Sequence, residues 1–236
     1  MAMSSIFRSV GTRPLKNANV EVYGNDASWL VDNGQFAWDS TNVTPTLGNV
    51  GGRPCLNLTN SGSTATDLSQ FQTTAASILM ATDAKTHVLK FSYRGTTATQ
   101  DIAFGWAAID TTIIASDPTD FIMFRKLAAE TTFTLRTRKA SGTAYTVSAT
   151  PVIAADAWYD GEIRATYSAT ANMSRVQVFM SANASPGAPL TQVLDSLIPD
   201  TAFPNTVNMA SFGAWRAGSA ANVSGYISYF GSDADA

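Results

Sequence analysis

The chain has 236 residues, of which 45% are hydrophobic and only 14% charged, so it can bury a large core but lacks the Glu and Lys that usually cover exposed helices. Its net charge of -3 and pI near 5.0 argue against a dedicated nucleic-acid-binding protein, which would normally be strongly basic. A single cysteine, Cys55, excludes an internal disulfide framework, and the lack of an apolar run approaching about 18 residues argues against a membrane-spanning helix.

Residues 1–18 are predicted to form an N-terminal arm. The segment carries three cations and no acid, and Pro14 discourages a continuous helix. One interpretation is a loose terminus, because chain ends are usually poorly ordered unless they are tied down. The alternative is an extended arm that contacts a neighbouring subunit, and its predicted contact residues are Ile6, Phe7, Arg8, Arg13, Leu15 and Lys16.

Beyond the arm, apolar and polar side chains alternate over short segments, which is typical of half-buried antiparallel strands. Turn pairs such as Asn33-Gly34 and Gly51-Gly52 separate the segments. No linker or internal repeat interrupts the pattern, so residues 19–236 are predicted to be one all-β domain, a sandwich of antiparallel sheets. The alternating segments are 86–93, 101–109, 132–139, 158–167, 174–181, 207–216 and 222–231.

Catalytic and cofactor motifs are largely missing. The only histidine is His87, and no Gly-x-Ser-x-Gly nucleophile turn accompanies it. One Cys and one His are too few for a zinc site, which needs three or four ligands. No Gly-rich phosphate loop or dinucleotide fingerprint occurs. The sequence therefore predicts a protein that is not an enzyme and that has no catalytic, metal or cofactor site.

Two carboxylates require a closer look, because Asp160 and Glu162 share one face of a predicted strand. Their Cα atoms would be about 6.5–7 Å apart, which overlaps the separation used in inverting glycoside hydrolysis. Arg164 follows on the same face. The favoured interpretation is a solvent-exposed strand face with local ion pairing, and a catalytic pair is the alternative.

Three aspartates cluster in the turn region 110–120. Aspartate favours turns because its side chain bonds the nearby backbone, and this is the favoured interpretation. The alternative is a calcium site, since hard oxygen ligands in a β loop can hold that ion. The residues concerned are Asp110, Asp117 and Asp120.

Cationic and aromatic residues suggest two further surfaces. Five cations on two neighbouring predicted strands could form a basic patch for an acidic partner, although an ordinary solvated face is favoured; they are Arg125, Lys126, Arg136, Arg138 and Lys139. Most tryptophans are predicted to lie in the core, but exposed ones would suit a sugar-binding groove; they are Trp29, Trp38, Trp106, Trp158 and Trp215.

The order of the segments from residue 104 to residue 229 resembles a known family. The order is a Gly-aromatic strand, an Asp-containing loop, a strand of alternating aromatic and apolar residues, a Trp-led strand, a Val-x-Val strand, an Ile-Pro segment and a closing apolar strand. These seven segments lie at 104–110, 120–124, 133–138, 157–164, 175–180, 197–199 and 225–229. This order is similar to that of the concanavalin A-like, or laminin G-like, jelly-roll domains of tailed-phage virion proteins. The resemblance implies a two-sheet antiparallel jelly-roll sandwich.

Relatives of this fold include lectins, carbohydrate-binding modules, glucanases and phage decoration proteins. The chain lacks the Glu-x-Asp-x-x-Glu strand of the glucanases and the acidic, metal-binding run of legume lectins. The resemblance therefore implies a non-enzymatic virion structural protein, a capsid decoration or cement protein made in the host cytoplasm. It would bind the major capsid protein or other virion subunits on the outer capsid surface, and would form a homo-oligomer.

A glycan-binding module is the alternative that the resemblance leaves open. Such a module would lie on a tail or on the capsid exterior and would attach to a host or environmental polysaccharide. Exposed tryptophans in a groove would favour it. Neither interpretation involves nucleic acid or a membrane.

Overall fold

The computed structural model of the protein describes residues 18–24, 26, 36–60, 64–152, 154–182, 188–218 and 223–233. The six predicted contact residues of the arm, from Ile6 to Lys16, lie outside this part of the chain and stay a prediction. Within the described residues, no helix is long and apolar enough to cross a membrane.

Strands account for most of the described chain. In order they are β1 (Ala18–Tyr23), β2 (Phe36–Thr41), β3 (Val43–Val50), β4 (Arg53–Asn60), β5 (Leu68–Thr73), β6 (Thr86–Gly95), β7 (Asp101–Ala107), β8 (Phe121–Lys126), β9 (Thr132–Arg138), β10 (Tyr145–Val152), β11 (Trp158–Thr166), β12 (Met173–Ala182), β13 (Thr191–Pro199), β14 (Ala210–Arg216) and β15 (Ser224–Asp233).

The strands form two antiparallel sheets that pack face to face. Sheet A has eight strands, in the order β13-β12-β11-β6-β15-β4-β3, with β1 also paired to β15. Sheet B has seven, in the order β10-β9-β8-β7-β14-β5-β2. The chain crosses between the sheets several times, as in a jelly roll. The predicted all-β, two-sheet antiparallel sandwich is thus confirmed.

The core fills the space between the sheets and follows the predicted alternation. On β6, Leu89 and Phe91 point inward, and on β7, Phe104 and Trp106 do the same; all are buried. The rings of Phe91 and Phe104 stack across the two sheets with centroids 4.2 Å apart. The Trp106 indole Nε1 donates to Ser232 Oγ at 3.1 Å, so a polar contact also links sheet B to sheet A.

Candidate functional site

The β3–β4 hairpin leaves the plane of sheet A near its tip. Strand β4 pairs with β15 only from Leu56 to Thr59, and β1 occupies the rest of the same edge of β15. At the junction, the Gly24 amide donates to the Ser228 carbonyl at 2.8 Å. A Cβ on Gly24 would lie only 2.0 Å from the Pro54 carbonyl oxygen. Residues 48–55, called the hairpin tip below, therefore cannot continue along the edge of the sheet.

Contacts of the hairpin tip show that it lies across the outer face of sheet A. Gly51 and Gly52 have φ angles of 61° and 78°, as a two-residue hairpin turn requires. A Cβ on Gly51 would lie 3.2 Å from Arg94 Nη1 and 3.6 Å from Trp158 Nε1. Neighbouring strands are about 4.8 Å apart, so Trp158 on β11 lies three strands, about 14 Å, from β4 in the sheet. Only a tip folded over the face can make these contacts.

Arg53 fixes the hairpin tip to the sheet beneath it. Its Nη1 donates to Asp160 Oδ1 at 2.9 Å and to Ser92 Oγ at 3.1 Å, and its guanidinium lies 5.0 Å from the centre of the Trp158 ring. Arg53, Asp160 and Ser92 are all buried. Because a buried charge is costly unless it is paired, this ion pair depends on the tip and the sheet staying together.

The predicted solvent-exposed face at Asp160 and Glu162 is wrong for both acids, which are only 2% and 6% exposed. The prediction that they share a face with Arg164 is correct, because Asp160, Glu162 and Arg164 pair with alternate outward residues of β6. Glu162 bonds Arg164 and lies 3.4 Å from Lys90. Asp160 instead pairs with Arg53, 107 residues away in the chain. The tertiary fold brings this cation over the face, which sequence spacing could not show.

These pairings speak against glycoside hydrolysis at the two acids. That chemistry needs one carboxylic acid held as a proton donor by an apolar site or a like-charge neighbour. Here the nearest charged partners of Asp160 and Glu162 are cations. The arrangement is that of a structural ion-pair network.

Three polar atoms beneath the hairpin tip have no hydrogen-bond partner among the described residues. They are the acceptor Asp160 Oδ2 and the donors Trp158 Nε1 and Arg94 Nε. Asp160 and Trp158 are 2% and 7% exposed, and Trp158 and Arg94 are directly paired across β11 and β6. Buried polar groups are nearly always bonded, and each unbonded one costs about 1–3 kcal/mol. We call Arg94, Trp158 and Asp160 the covered site.

Cys55 lies in the same region. It follows Arg53 by two residues, on the same side of β4, and it is fully buried. Burial raises the pKa of the Cys55 thiol to about 11, although a backbone hydrogen bond from Val50 and the charge of Arg94 oppose the shift. The thiol is therefore protonated and unreactive near neutral pH. His87 lies on the opposite, core-facing side of sheet A, so the fold does not bring the cysteine and the histidine together.

The outer face of sheet B has a cover of its own, the loop of residues 108–120. Gln70 Nε2 donates to the Asp110 carbonyl at 2.8 Å, and Gln70 Oε1 accepts from the Ile113 amide at 3.0 Å. Ile113 and Ile114 pack on an apolar cluster on the outward side of the sheet. The other members of the cluster are Ala103, Ala107, Phe121, Met123, Phe212 and Ala214.

The three aspartates of this loop serve separate purposes. Asp117 accepts from Arg136 Nη1 and Nη2 at 2.5 and 2.7 Å, Asp110 Oδ1 accepts from the Thr112 amide at 2.8 Å, and Asp120 Oδ1 accepts from the Ala140 amide at 2.8 Å. Across the part of the chain that the structure describes, no group of three or more His, Cys, Asp or Glu is placed to hold a metal ion. The turn interpretation fits these contacts better than the calcium alternative.

The five cations of the suggested basic patch form ion pairs and hydrogen bonds with other residues of the same chain. Arg125 and Arg136 both face Asp117. Arg138 bonds backbone carbonyls of the neighbouring turns, including Ser141 and Gly142. Lys139 reaches Asp200, and Lys126 Nζ donates to the Gln100 and Leu127 carbonyls. These contacts bind loops to strands, as the favoured interpretation expected, and do not form a free surface for an acidic partner.

The four tryptophans that the structure describes are buried or half-buried. Trp106 and Trp215 are buried, and the Trp215 Nε1 donates to Gln100 Oε1 at 3.0 Å. Trp158 is buried in the covered site, and Trp38 is half-buried against the core. Trp29 lies outside the described residues. The four described rings therefore provide no exposed stacking platform, and a sugar would need another mode of recognition.

Comparison with solved structures places the fold among lectins. The chain is similar to arcelin-5, a lectin-like defence protein of Phaseolus vulgaris (TM-score 0.56, 10% identity, 91% of this chain and 98% of that one). It is also similar to a seed lectin of Lotus tetragonolobus (0.54, 10%, 91% and 97%). A third similar structure is the lectin UEA-II in complex with galactose (0.56, 12%, 93% and 100%). The TM-scores show a shared lectin-like jelly-roll fold, although the sequence identities are only 10–12%.

No family profile and no curated protein sequence matches the chain.

Proposed function

We propose that the protein is a non-enzymatic glycan-binding protein that recognises its saccharide at the covered site. The observation that carries the proposal is the unused hydrogen-bonding capacity of Trp158 Nε1, Arg94 Nε and Asp160 Oδ2 on one buried patch. A lectin-like sandwich, shared with a lectin solved with galactose, supports it. The pairing of both nearby acids with cations supports binding without catalysis.

The chemistry of the covered site favours a neutral, hydroxyl-rich ligand. A hydroxyl group both donates and accepts hydrogen bonds, so adjacent sugar hydroxyls could accept from Trp158 and Arg94 and donate to Asp160. An anionic ligand would be repelled by Asp160, and a cation would be repelled by Arg53 and Arg94. Arg53 is paired with Asp160 and Arg94 with Asp156, so these four groups leave no net charge at the covered site for an ionic ligand to neutralise.

A glycan array tests this proposal with a matched pair of variants. Trp158→Phe keeps a six-membered aromatic ring but removes the pyrrole part of the indole together with its unbonded N–H, and Trp38→Phe makes the same truncation elsewhere. One neutral hydrogen bond is worth about 0.5–1.5 kcal/mol, so we expect an affinity loss of about three- to tenfold. Trp38→Phe removes an equally unbonded N–H on sheet B and should leave affinity unchanged. A wild-type protein that binds no saccharide on a broad array would contradict the function.

A role on the surface of a virus particle is a second proposal, favoured by an exposed apolar edge. Leu197 and Met173 are 56% and 42% exposed. Both lie on the outer face of sheet A. Met173 and Arg175 are alternate residues of β12 and point the same way, and Leu197 on β13 is the cross-strand partner of Arg175. Strand β13 is the last strand of sheet A. This edge and the predicted arm residues would contact the major capsid protein or other virion subunits, as a decoration protein does.

Particle attachment tests the second proposal. Deleting residues 2–16 should abolish binding to the particle while the sandwich keeps its cooperative unfolding. The double variant Leu197→Ser, Met173→Ser should weaken attachment by removing apolar contact area. Unchanged occupancy of both variants on purified particles, measured by cryo-electron microscopy, would show that neither the arm nor this edge makes the contact. Absence of the wild-type protein from purified particles would rule this role out.

A further inference from the structure

We propose that the hairpin tip, residues 48–55, is a lid over the covered site, held shut by Arg53 and displaced when the ligand enters. This inference rests on the proposed glycan-binding function, because it concerns access to the same three residues. It follows from the way in which the tip is attached, from what lies directly under it, and from the kind of contact that closes it.

Attachment of the hairpin tip is confined to one side. Gly48, Asn49, Gly51 and Gly52 are exposed, and nothing lies within 4 Å of the position that a Cβ on Gly52 would take. The tip leaves the sheet where β1 replaces β4 along β15, so it forms no ladder hydrogen bonds with β15. The contacts that have to break when the tip lifts are therefore on its sheet-facing side, where Arg53 and Cys55 are buried.

Ligand atoms and the closed tip compete for the same space. Gly51 lies directly over Trp158 Nε1 and Arg94, at contact distances of 3.6 and 3.2 Å for a Cβ at that position. A saccharide hydroxyl that bonded the indole N–H would occupy this space. The tip must therefore move before the ligand can bind, and the bound ligand keeps it displaced.

The tip is held closed by polar contacts of Arg53, which water can replace when the tip opens. Arg53 bonds Asp160 and Ser92 across the gap between tip and sheet, and both charges become hydrated when the tip lifts. Opening a polar contact costs less than exposing an apolar one of equal size, because water recovers the hydrogen bonds. Segments that move to admit ligands are expected at such weakly attached places.

Cys55 provides a built-in reporter of the lid. Cys55 is the last residue of the tip and its thiol is buried, so a maleimide can reach it only when the tip opens. Arg53→Ala should raise the labelling rate about tenfold or more, since the ion pair that closes the lid is lost. Arg53→Lys keeps the charge and should give an intermediate rate. The rates are measured by mass spectrometry in the absence of denaturant.

Arg164→Ala is the matched control, because Arg164 bonds a buried acid on the same face but lies on β11 and not on the tip. It should leave labelling of Cys55 unchanged. A saccharide identified on the array should accelerate labelling, since it holds the tip open. The lid is refuted if Arg53→Ala labels at the wild-type rate, or if labelling in every variant follows only global unfolding.

The two proposals fail in different ways. Rapid labelling of Arg53→Ala without any glycan binding would leave the lid standing and refute the glycan function. Glycan binding that depends on Trp158, together with Cys55 labelling that does not change in Arg53→Ala, would support the glycan function and refute the lid.

Discussion

Each sheet is covered on its outer face by a segment of the chain, and the two covering segments differ in residue composition. Loop 108–120 covers sheet B with Ile113 and Ile114 on an apolar cluster, and its backbone is tied down by Gln70 and Gln72. The hairpin tip covers sheet A with glycines, one arginine and one cysteine over charged and aromatic residues. An apolar cover is held by exclusion of water, whereas a polar cover can exchange its contacts for water or a hydroxyl-rich ligand. The comparison identifies sheet A as the face that can open.

The largest expected effect tests the polar cover. Asp160→Ala removes the carboxylate that Arg53 bonds in a buried setting, and breaking a buried ion pair costs about 3–5 kcal/mol. The double variant Arg53→Met, Asp160→Leu should recover most of that loss, because an apolar pair of similar volume replaces the ion pair. Urea unfolding measures the stability of both variants, because a shift of the unfolding midpoint at an unchanged slope reports a change in the free energy of unfolding. A double variant as unstable as the single one would mean that the ion pair itself stabilises the fold.

A smaller loss is expected from the apolar cover. Ile113→Ala should lower the free energy of unfolding by about 2–3 kcal/mol, the low end for Ile→Ala because a loop can settle into the cavity. Ile109→Ala, in the same loop but 59% exposed, should change stability by less than about 0.5 kcal/mol. Neither variant should change maleimide labelling of Cys55. Faster labelling of Ile113→Ala would show that the two covers are coupled.

The smallest expected effect is the pH dependence that Cys55 contributes. Its pKa is about 11 in the folded protein against an ordinary value of 9.0, so the unfolded chain loses its proton first. The stability gained from the buried thiol is therefore complete below about pH 9 and is lost as pH rises toward about 11. Cys55→Ala lacks this component, so its difference from wild type in unfolding free energy should shrink between about pH 9 and about pH 11. A difference that stays constant with pH would place the thiol in contact with water.

Much of the fold could be predicted from alternation within single strands. Segments 86–93, 101–109 and 174–181 alternate as predicted, and their inward residues lie in the core, namely Leu89 with Phe91, Phe104 with Trp106, and Val176 with Val178. Strands β1 to β5, β8, β10 and β13 were not delimited by alternation. Strands β2, β3, β10 and β13 form the sheet edges, where polar residues replace the apolar residues of a buried face. Strands β5 and β8 lie inside sheet B and are buried on both faces, so they show no alternation.

The candidate site could be predicted only in part. Sequence spacing placed Asp160, Glu162 and Arg164 on one strand face, which the register confirms. It also singled out Trp158 as one of the tryptophans of interest. It could not show that Arg53 pairs with Asp160, because no local pattern links a hairpin tip to a strand so far along the chain.

The sequence by itself determined which side of each long strand is apolar, since side chains alternate with a period of two whatever the rest of the chain does. It also determined that the protein has too few histidines and cysteines for a zinc site or a disulfide framework. Only the tertiary structure decided what covers the outward faces. Burial of Asp160 and Glu162 depends on segments that meet through folding over long distances, and the alternating pattern of a strand carries no information about such neighbours.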